Sequence, residues 1–197
     1  MKITRVEATA LKTRSVIVQI FTDEGIAGIG ECSPMNLDVL ANFVNNALRP
    51  LLVDEDPLEI DKLWNKMMFS TYKLGPHGVQ PEAIAGVDIA LWDILGKFSG
   101  LPICTLLGGS YRDKVLMYAS IGGGAPLRPE EMVRKVEDAL IKGFRAIKIR
   151  MDWGPHRRDV GPAKDFAVFK AVRELVGDDI PLSFDANNGY SVTTAIA

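Results

Sequence analysis

The sequence predicts two folds in succession, an α+β unit over residues 1–112 and a parallel α/β unit over residues 113–197. Two observations carry this division. Strand signals come first and a run of helix signals follows in the first stretch, which is the order of an α+β unit. After Gly108-Gly109, strand and helix signals alternate as βαβαβ(α), so the second sheet should be parallel with right-handed crossovers.

In the first unit, residues 3–11 and 16–22 are rich in β-branched side chains. The turn Thr22-Asp23-Glu24-Gly25 joins the second run to residues 26–31 as a hairpin. A helix is expected over 37–48, stopped by Pro50. The next helix should open at Asp56 as a cap, with Pro57 in the first turn and Glu59 three residues past the cap, and run to 69. The strongest helix signal covers 81–98. Ile84, Val87, Leu91, Ile94 and Phe98 recur there at spacings of three and four. Pro81 opens it, and Gly100 with Pro102 ends it.

In the second unit, residues 115–120 form the first expected strand. Pro129, Glu130 and Glu131 open a helix whose Val133, Val136 and Leu140 face a core, and Gly143 closes it. Residues 144–150 are the second strand. A helix over 162–176 should turn Phe166, Phe169 and Val176 inward, and residues 180–185 are the third strand. Ser191 caps a last helix, and residues 194–197 carry no helix stop signal. Three apolar parallel strands would leave an unpaired edge at 180–185, so the reading expects a longer protein, or a second chain that completes the sheet.

Composition narrows the function. Lys and Arg total 23 against 25 Asp and Glu, so no basic excess neutralises a phosphate backbone, and no nucleic-acid partner is expected. No apolar run approaches the ~20 residues of a membrane helix, so no membrane partner is expected either. Cys32 and Cys104 form no CxxC pair, which suits a reducing cytoplasm. His77 and His156 are the only histidines and stand far apart, so a multi-histidine metal site cannot come from these residues. Gly122-Gly123-Gly124 lacks the Lys-Ser/Thr of a phosphate loop, and Gly25, Gly28 and Gly30 do not follow the GxGxxG order.

Strand alternation points to a site. Lys148 and Arg150 share a face at the end of the second parallel strand, and Asp185 and Asn187 share one at the end of the third. Ligands in parallel α/β architectures bind at the carboxyl ends of strands. Two cations and a carboxylate would converge there, and a solvated Lys–Asp ion pair is the plain alternative.

The motifs that surround these residues, taken in order, resemble a known family. They are Asp23-Glu24-Gly25-Ile26-Ala27-Gly28-Ile29-Gly30-Glu31, the helix segment Ala85-Gly86-Val87-Asp88-Ile89-Ala90-Leu91-Trp92-Asp93, and Leu106-Leu107-Gly108-Gly109. They continue with Gly143-Phe144-Arg145-Ala146-Ile147-Lys148-Ile149-Arg150 and end on Asp185-Ala186-Asn187-Asn188-Gly189-Tyr190-Ser191. The chain resembles the N-terminal half of the enolase superfamily, in its mandelate racemase/muconate lactonizing enzyme group. That resemblance implies a capping α+β domain followed by the first three β/α units of a modified TIM barrel. It implies Mg²⁺ as cofactor, with Lewis acidity that eases α-proton removal from a carboxylate through an ene-diolate. It implies a small-molecule carboxylate substrate and a homo-oligomer.

Residue by residue, the resemblance makes Asp185 a metal ligand, sets Asn187 beside the metal or substrate, and places Lys148 against the substrate carboxylate. Arg150 stands where the family carries a lysine base. Arginine stays protonated, so a two-base racemase is disfavoured, and Arg150 would bind carboxylate or hydroxyl oxygens through its planar fork. Dehydration of an acid sugar is therefore the expected reaction. The alternatives are a racemase, epimerase or cycloisomerase of the same superfamily, or a non-catalytic interaction module. Residues 1–197 alone are expected to be inactive, because two metal carboxylates and a second acid/base are absent from them. The short turn 12–15 and residues 32–38 match the family's two substrate-covering loops. His156, Arg157 and Arg158 read as a solvated loop, His77 as exposed or structural, and Asp88 and Asp93 as hydrogen-bonding residues between helix and barrel.

Overall fold

The computed structural model describes residues 1–123, 127–151 and 158–197. They form two units, Met1–Tyr111 and Arg112–Ala197, each with its own apolar core.

The first unit is an antiparallel sheet covered by helices. Strands β1 (Ile3–Ala10), β2 (Val16–Thr22) and β3 (Ala27–Cys32) lie in sequence order. Every second residue of β2 is buried, so Val16, Val18 and Ile20 face the helices as period-two alternation requires. Helix α1 (Leu37–Phe43) continues through a π-helical turn at Val44–Leu48 into α2 (Arg49–Leu52). Pro50 therefore does not stop the helix. It is the second residue of α2, which directly follows the π-helical turn. The wider i→i−5 bonding of that turn, seen in the Arg49 N–H to the Val44 carbonyl, lets the helical run pass a residue without an N–H. Asp56 does not cap the next helix either. Its Oδ1 accepts the Leu58 N–H at 3.0 Å, a local turn that competes with helix, and α3 starts later, at Ile60–Ser70.

Helix α4 (Val79–Ser99) supports the sheet, and the short α5 (Ile103–Leu106) follows it. Ile84, Val87, Leu91 and Ile94 are buried as expected, whereas Phe98 is exposed. The physical reason lies in the seam with β3. Gly28 meets Ala90 and Ile94, Gly30 meets Gly86 and Ala90, and Lys97 Nζ reaches the Ala27 carbonyl at 2.7 Å. Phe98 thus falls past the first residue of the strand. Both sheet edges are occupied by side chains rather than left as open templates. Asn45 pairs with both backbone groups of Ala8 on β1, at 2.9 and 2.8 Å. Asp93 Oδ2 accepts the Ile29 N–H of β3 at 2.8 Å and the Lys97 ammonium at 2.7 Å. Asp93 is therefore engaged by two partners inside this unit.

The second unit is a parallel sheet in the order β4 (Ala119–Gly122), β5 (Ile147–Arg150), β6 (Leu182–Asp185). Helices α6 (Pro129–Ile141) and α7 (Pro162–Val176) make the crossovers, and α8 (Val192–Ile196) follows β6. The expected strand at 115–120 begins only at Ala119, and Val115, Leu116, Met117 and Tyr118 are exposed. A strand needs a ladder, and this one starts where Ala119 pairs with Ile147. The inward face of α7 also differs from expectation. Asp165, Val168, Val172 and Val176 are buried, Phe166 is exposed, and Phe169 is half-buried. A hydrogen bond from Tyr190 accounts for a carboxylate at a core position, which apolar periodicity could not reveal. Ser191 caps α8 as expected, its Oγ accepting the Thr194 N–H. Among the described residues, no helix is long and apolar enough to cross a membrane.

Candidate active site

The sheet of the second unit has two chemically different faces. Register pairs Ser120, Lys148 and Ser183 across the three strands, and next to them Gly122, Arg150 and Asp185. Paired residues of a parallel ladder project to the same side, so these six share one face. Ala119, Ile147, Ile149, Leu182 and Phe184 supply the other face, which packs on the apolar core with the helices. The polar face carries its charges at the carboxyl ends of β5 and β6, where ligands bind in this architecture.

The structure brings Lys148 and Asp185 together. Lys148 Nζ lies 3.5 Å from Asp185 Oδ2, with 28% and 36% of the side chains exposed. A pair so solvated contributes little to stability and stays open to exchange of partners. The Lys148 ammonium also lies 5.3 Å from the ring centre of Tyr118. A ring this close attracts a cation. In the sequence Tyr118 is marked only by its place in the apolar run 115–120. Its signal is parity, since it stands two residues before Ser120.

Arg150 pairs in register with Asp185 and closes β5. Beside it, Gly122 has φ 104°, and a Cβ there would lie 2.3 Å from the Arg150 carbonyl oxygen. Gly122 thus serves the close approach of two strand ends. Asn187 is not on the strand, which ends at Asp185. Its backbone is left-handed, at φ 48°, and its N–H donates to Asp185 Oδ1 at 2.9 Å. Asn187 therefore does not share the strand face expected for it and joins Asp185 through its backbone instead.

The Asp185 carbonyl accepts the Met151 N–H at 2.9 Å, extending the ladder by one bond. Beyond it, Tyr190 donates to Asp165 Oδ2 at 2.7 Å, and burial, followed by that hydrogen bond, pushes the Tyr190 phenol well above its ordinary pKa. Asp159 accepts the Ser191 N–H at 2.9 Å, which holds its carboxyl below the usual range. A cavity of about 690 Å³ opens on the flank of β6 and α7, lined by Phe166, Phe169, Phe184 and Tyr190 among others; neither Lys148 nor Asp185 lines it. His156, Arg157 and Gly124 lie outside the described residues; Arg158 and His77 are exposed.

Carboxylate oxygen is the right donor for a hard divalent ion, so the chemistry of Asp185 fits Mg²⁺. Among the described residues, however, no group of three or more His, Cys, Asp or Glu could hold a metal ion. Asp185 therefore offers one carboxylate and not a complete site.

Residues 3–108 match the mandelate racemase/muconate lactonizing enzyme N-terminal domain, and residues 131–197 match the enolase C-terminal domain-like family. The chain belongs to the mandelate racemase/muconate lactonizing enzyme family. Its two units are accordingly the family's capping domain and the start of its barrel. An arabinonate dehydratase of Saccharolobus solfataricus is 37% identical over 187 residues, covering 92% of this chain and 47% of that protein. A D-galactarolactone cycloisomerase of Agrobacterium fabrum is 36% identical over 184 residues, covering 92% of this chain and 46% of that protein. The crystal structure of a mandelate racemase/muconate lactonizing protein from Paracoccus denitrificans, complexed with magnesium, superposes with a TM-score of 0.93 at 42% identity. It covers 99% of this chain and 54% of that one. The chain spans about half the length of the relatives it matches.

Proposed function

We propose that the full-length protein removes the proton α to the carboxylate of a sugar acid and expels the β-hydroxyl as water. The observation that carries this reading is the juxtaposition of Lys148 and Asp185 at the ends of adjacent parallel strands, 3.5 Å apart. Family membership and the names of the dehydratase and cycloisomerase relatives support it. Asp185 would contribute one carboxylate to a Mg²⁺ site, completed by acidic residues that lie after residue 197. When bound, the ion draws negative charge from the substrate carboxylate.

Lys148 exchanges its ion pair with Asp185 for one with the substrate carboxylate, and so orients the α-carbon. Tyr118 keeps the ammonium on the polar face while that exchange occurs. Arg150 remains cationic throughout and holds substrate oxygens with its planar fork. Asn187 contributes polar contacts at the substrate edge. A base and an acid from residues after 197 take the α-proton and protonate the leaving hydroxyl. A cationic Arg150 in place of a lysine leaves one face of the α-carbon without a base of that type, which favours dehydration over racemisation.

The test is incubation of the full-length protein with Mg²⁺ and a library of sugar acids in D₂O. The expected product is a keto acid formed with loss of water. Deuterium exchange without water loss would assign a racemase or epimerase. Lactone isomerisation without water loss would assign a cycloisomerase, the reaction named for the Agrobacterium relative. An Asp185→Asn protein that keeps its turnover would remove the metal-ligand role.

A further inference from the structure

The loop after β6 is bent sharply and held at several points. Asn187 and Asn188 both have positive φ, 48° and 62°. Asparagine adopts this region at some cost, and two in succession persist only where the surroundings enforce them. Here they do. Asp185 Oδ1 accepts the Asn187 N–H at 2.9 Å, and the Gly189 N–H donates to the Ala186 carbonyl at 2.8 Å. The Asp159 N–H donates to the Gly189 carbonyl at 2.7 Å, and Asp159 Oδ1 accepts the Ser191 N–H at 2.9 Å.

Tyr190 is the side chain that ties this loop to the core. Its ring stacks on Phe184, the residue before Asp185, with centroids 5.9 Å apart and planes at 26°. Phe169 of α7 meets Phe184 edge-on at 6.2 Å. The Tyr190 hydroxyl donates at 2.7 Å to Asp165, which is 1% exposed in α7. A buried carboxylate depends on such donors, and a hydroxyl bonded to one is held more firmly than in a neutral pair. Strand β6 and its following loop are thus gripped on both sides of Asp185, by Phe184 before it and by Tyr190 after it.

We propose that Tyr190 is a positioning residue for Asp185, its hydroxyl anchored on buried Asp165 so that the loop 186–191 presents the Asp185 carboxylate at one fixed angle. This rests on the reading of Asp185 as a Mg²⁺ ligand. Partners that orient a ligand without touching the metal contribute to metal affinity, and their loss weakens it.

The experiment titrates Mg²⁺ alone into the full-length protein by calorimetry, alongside melting temperatures and steady-state kinetics. Tyr190→Phe keeps the ring and its stack and removes only the hydroxyl. It should weaken Mg²⁺ binding about tenfold and raise the KM for Mg²⁺ equally, with kcat at saturating Mg²⁺ changed less than about twofold. Asp165→Asn still offers the hydroxyl an acceptor, and should keep Mg²⁺ affinity within about threefold of wild type. Wild-type Mg²⁺ affinity in Tyr190→Phe, whatever its melting temperature, would show that Tyr190 only packs, and a tenfold loss in Asp165→Asn would show that the carboxylate charge, not the tether, matters. Asp185→Asn separates the two layers. If it binds Mg²⁺ normally, the ligand reading itself falls; if it loses Mg²⁺ while Tyr190→Phe does not, only the positioning role falls.

Discussion

Gly122 and Cys32 show how single atoms constrain this chain. At Gly122 an added methyl would lie 2.3 Å from the Arg150 carbonyl oxygen, and φ 104° is unfavourable for any L side chain. Gly122→Ala should destabilise the protein by about 2–4 kcal/mol, read by urea denaturation, because neither backbone can yield without breaking the β4–β5 ladder. Cys32 sits under α4, and burial pushes its thiol up to about 11. The folded state therefore holds this proton more tightly than the unfolded chain does. That contribution is complete below pH 9.0, the unfolded value, and is lost as pH rises towards about 11. Denaturation midpoints measured from pH 8 to 11 should fall more steeply in wild type than in Cys32→Ala. Equal slopes would show that the thiol does not carry the effect.

Helix α4 and strand β3 approach as closely as they do because three facing positions lack side chains. A Cβ on Gly30 would lie 2.1 Å from the Gly86 carbonyl oxygen, and one on Gly86 would lie 2.4 Å from Cys32 Sγ. The Gly28 and Gly30 pair, which the sequence allowed only to be excluded as a dinucleotide motif, is a packing seam. Gly30→Ala must push α4 outward and open its contacts with β2, among them that of Gly86 with Val18. A loss of about 2–4 kcal/mol is expected. Gly25→Ala, where the added carbon meets nothing within 4 Å but φ is 81°, is the comparison, with a loss near 1 kcal/mol from backbone strain alone. If the two variants unfold at the same urea concentration, the seam is looser than the distances indicate.

For the whole protein, the charges on the polar face of the second sheet should matter to turnover and hardly at all to folding. The Lys148–Asp185 pair is about a third exposed, so its removal costs at most about 1 kcal/mol of stability. Lys148→Met in the full-length protein should keep its melting temperature within a few degrees while kcat/KM falls by about a thousandfold or more, the scale of losing a preorganised charge at the reacting group. Chelation of Mg²⁺ should abolish turnover and leave the far-ultraviolet circular dichroism unchanged, since the apolar cores of both units are formed by residues other than Asp185. Unfolding on chelation would instead give the ion a structural role.

Order and type of the elements were legible in the chain because strand alternation, helical periodicity and turn residues are local properties. So was the polar pair Lys148 and Arg150, because position along a strand dictates its face. The family motifs were legible for the same reason, being short runs at characteristic separations. Other features depend on atoms far apart in sequence. Asp165 is buried because Tyr190, 25 residues later, supplies a donor, and no local pattern marks a carboxylate for the core. Asn187 leaves the strand face because the ladder stops at Asp185, and Ala119 begins its strand only where Ile147 is available to pair. A side chain's face follows from its own position in an element, whereas where the element begins, and what its buried polar groups touch, is set by partners that only the folded chain brings within hydrogen-bonding distance.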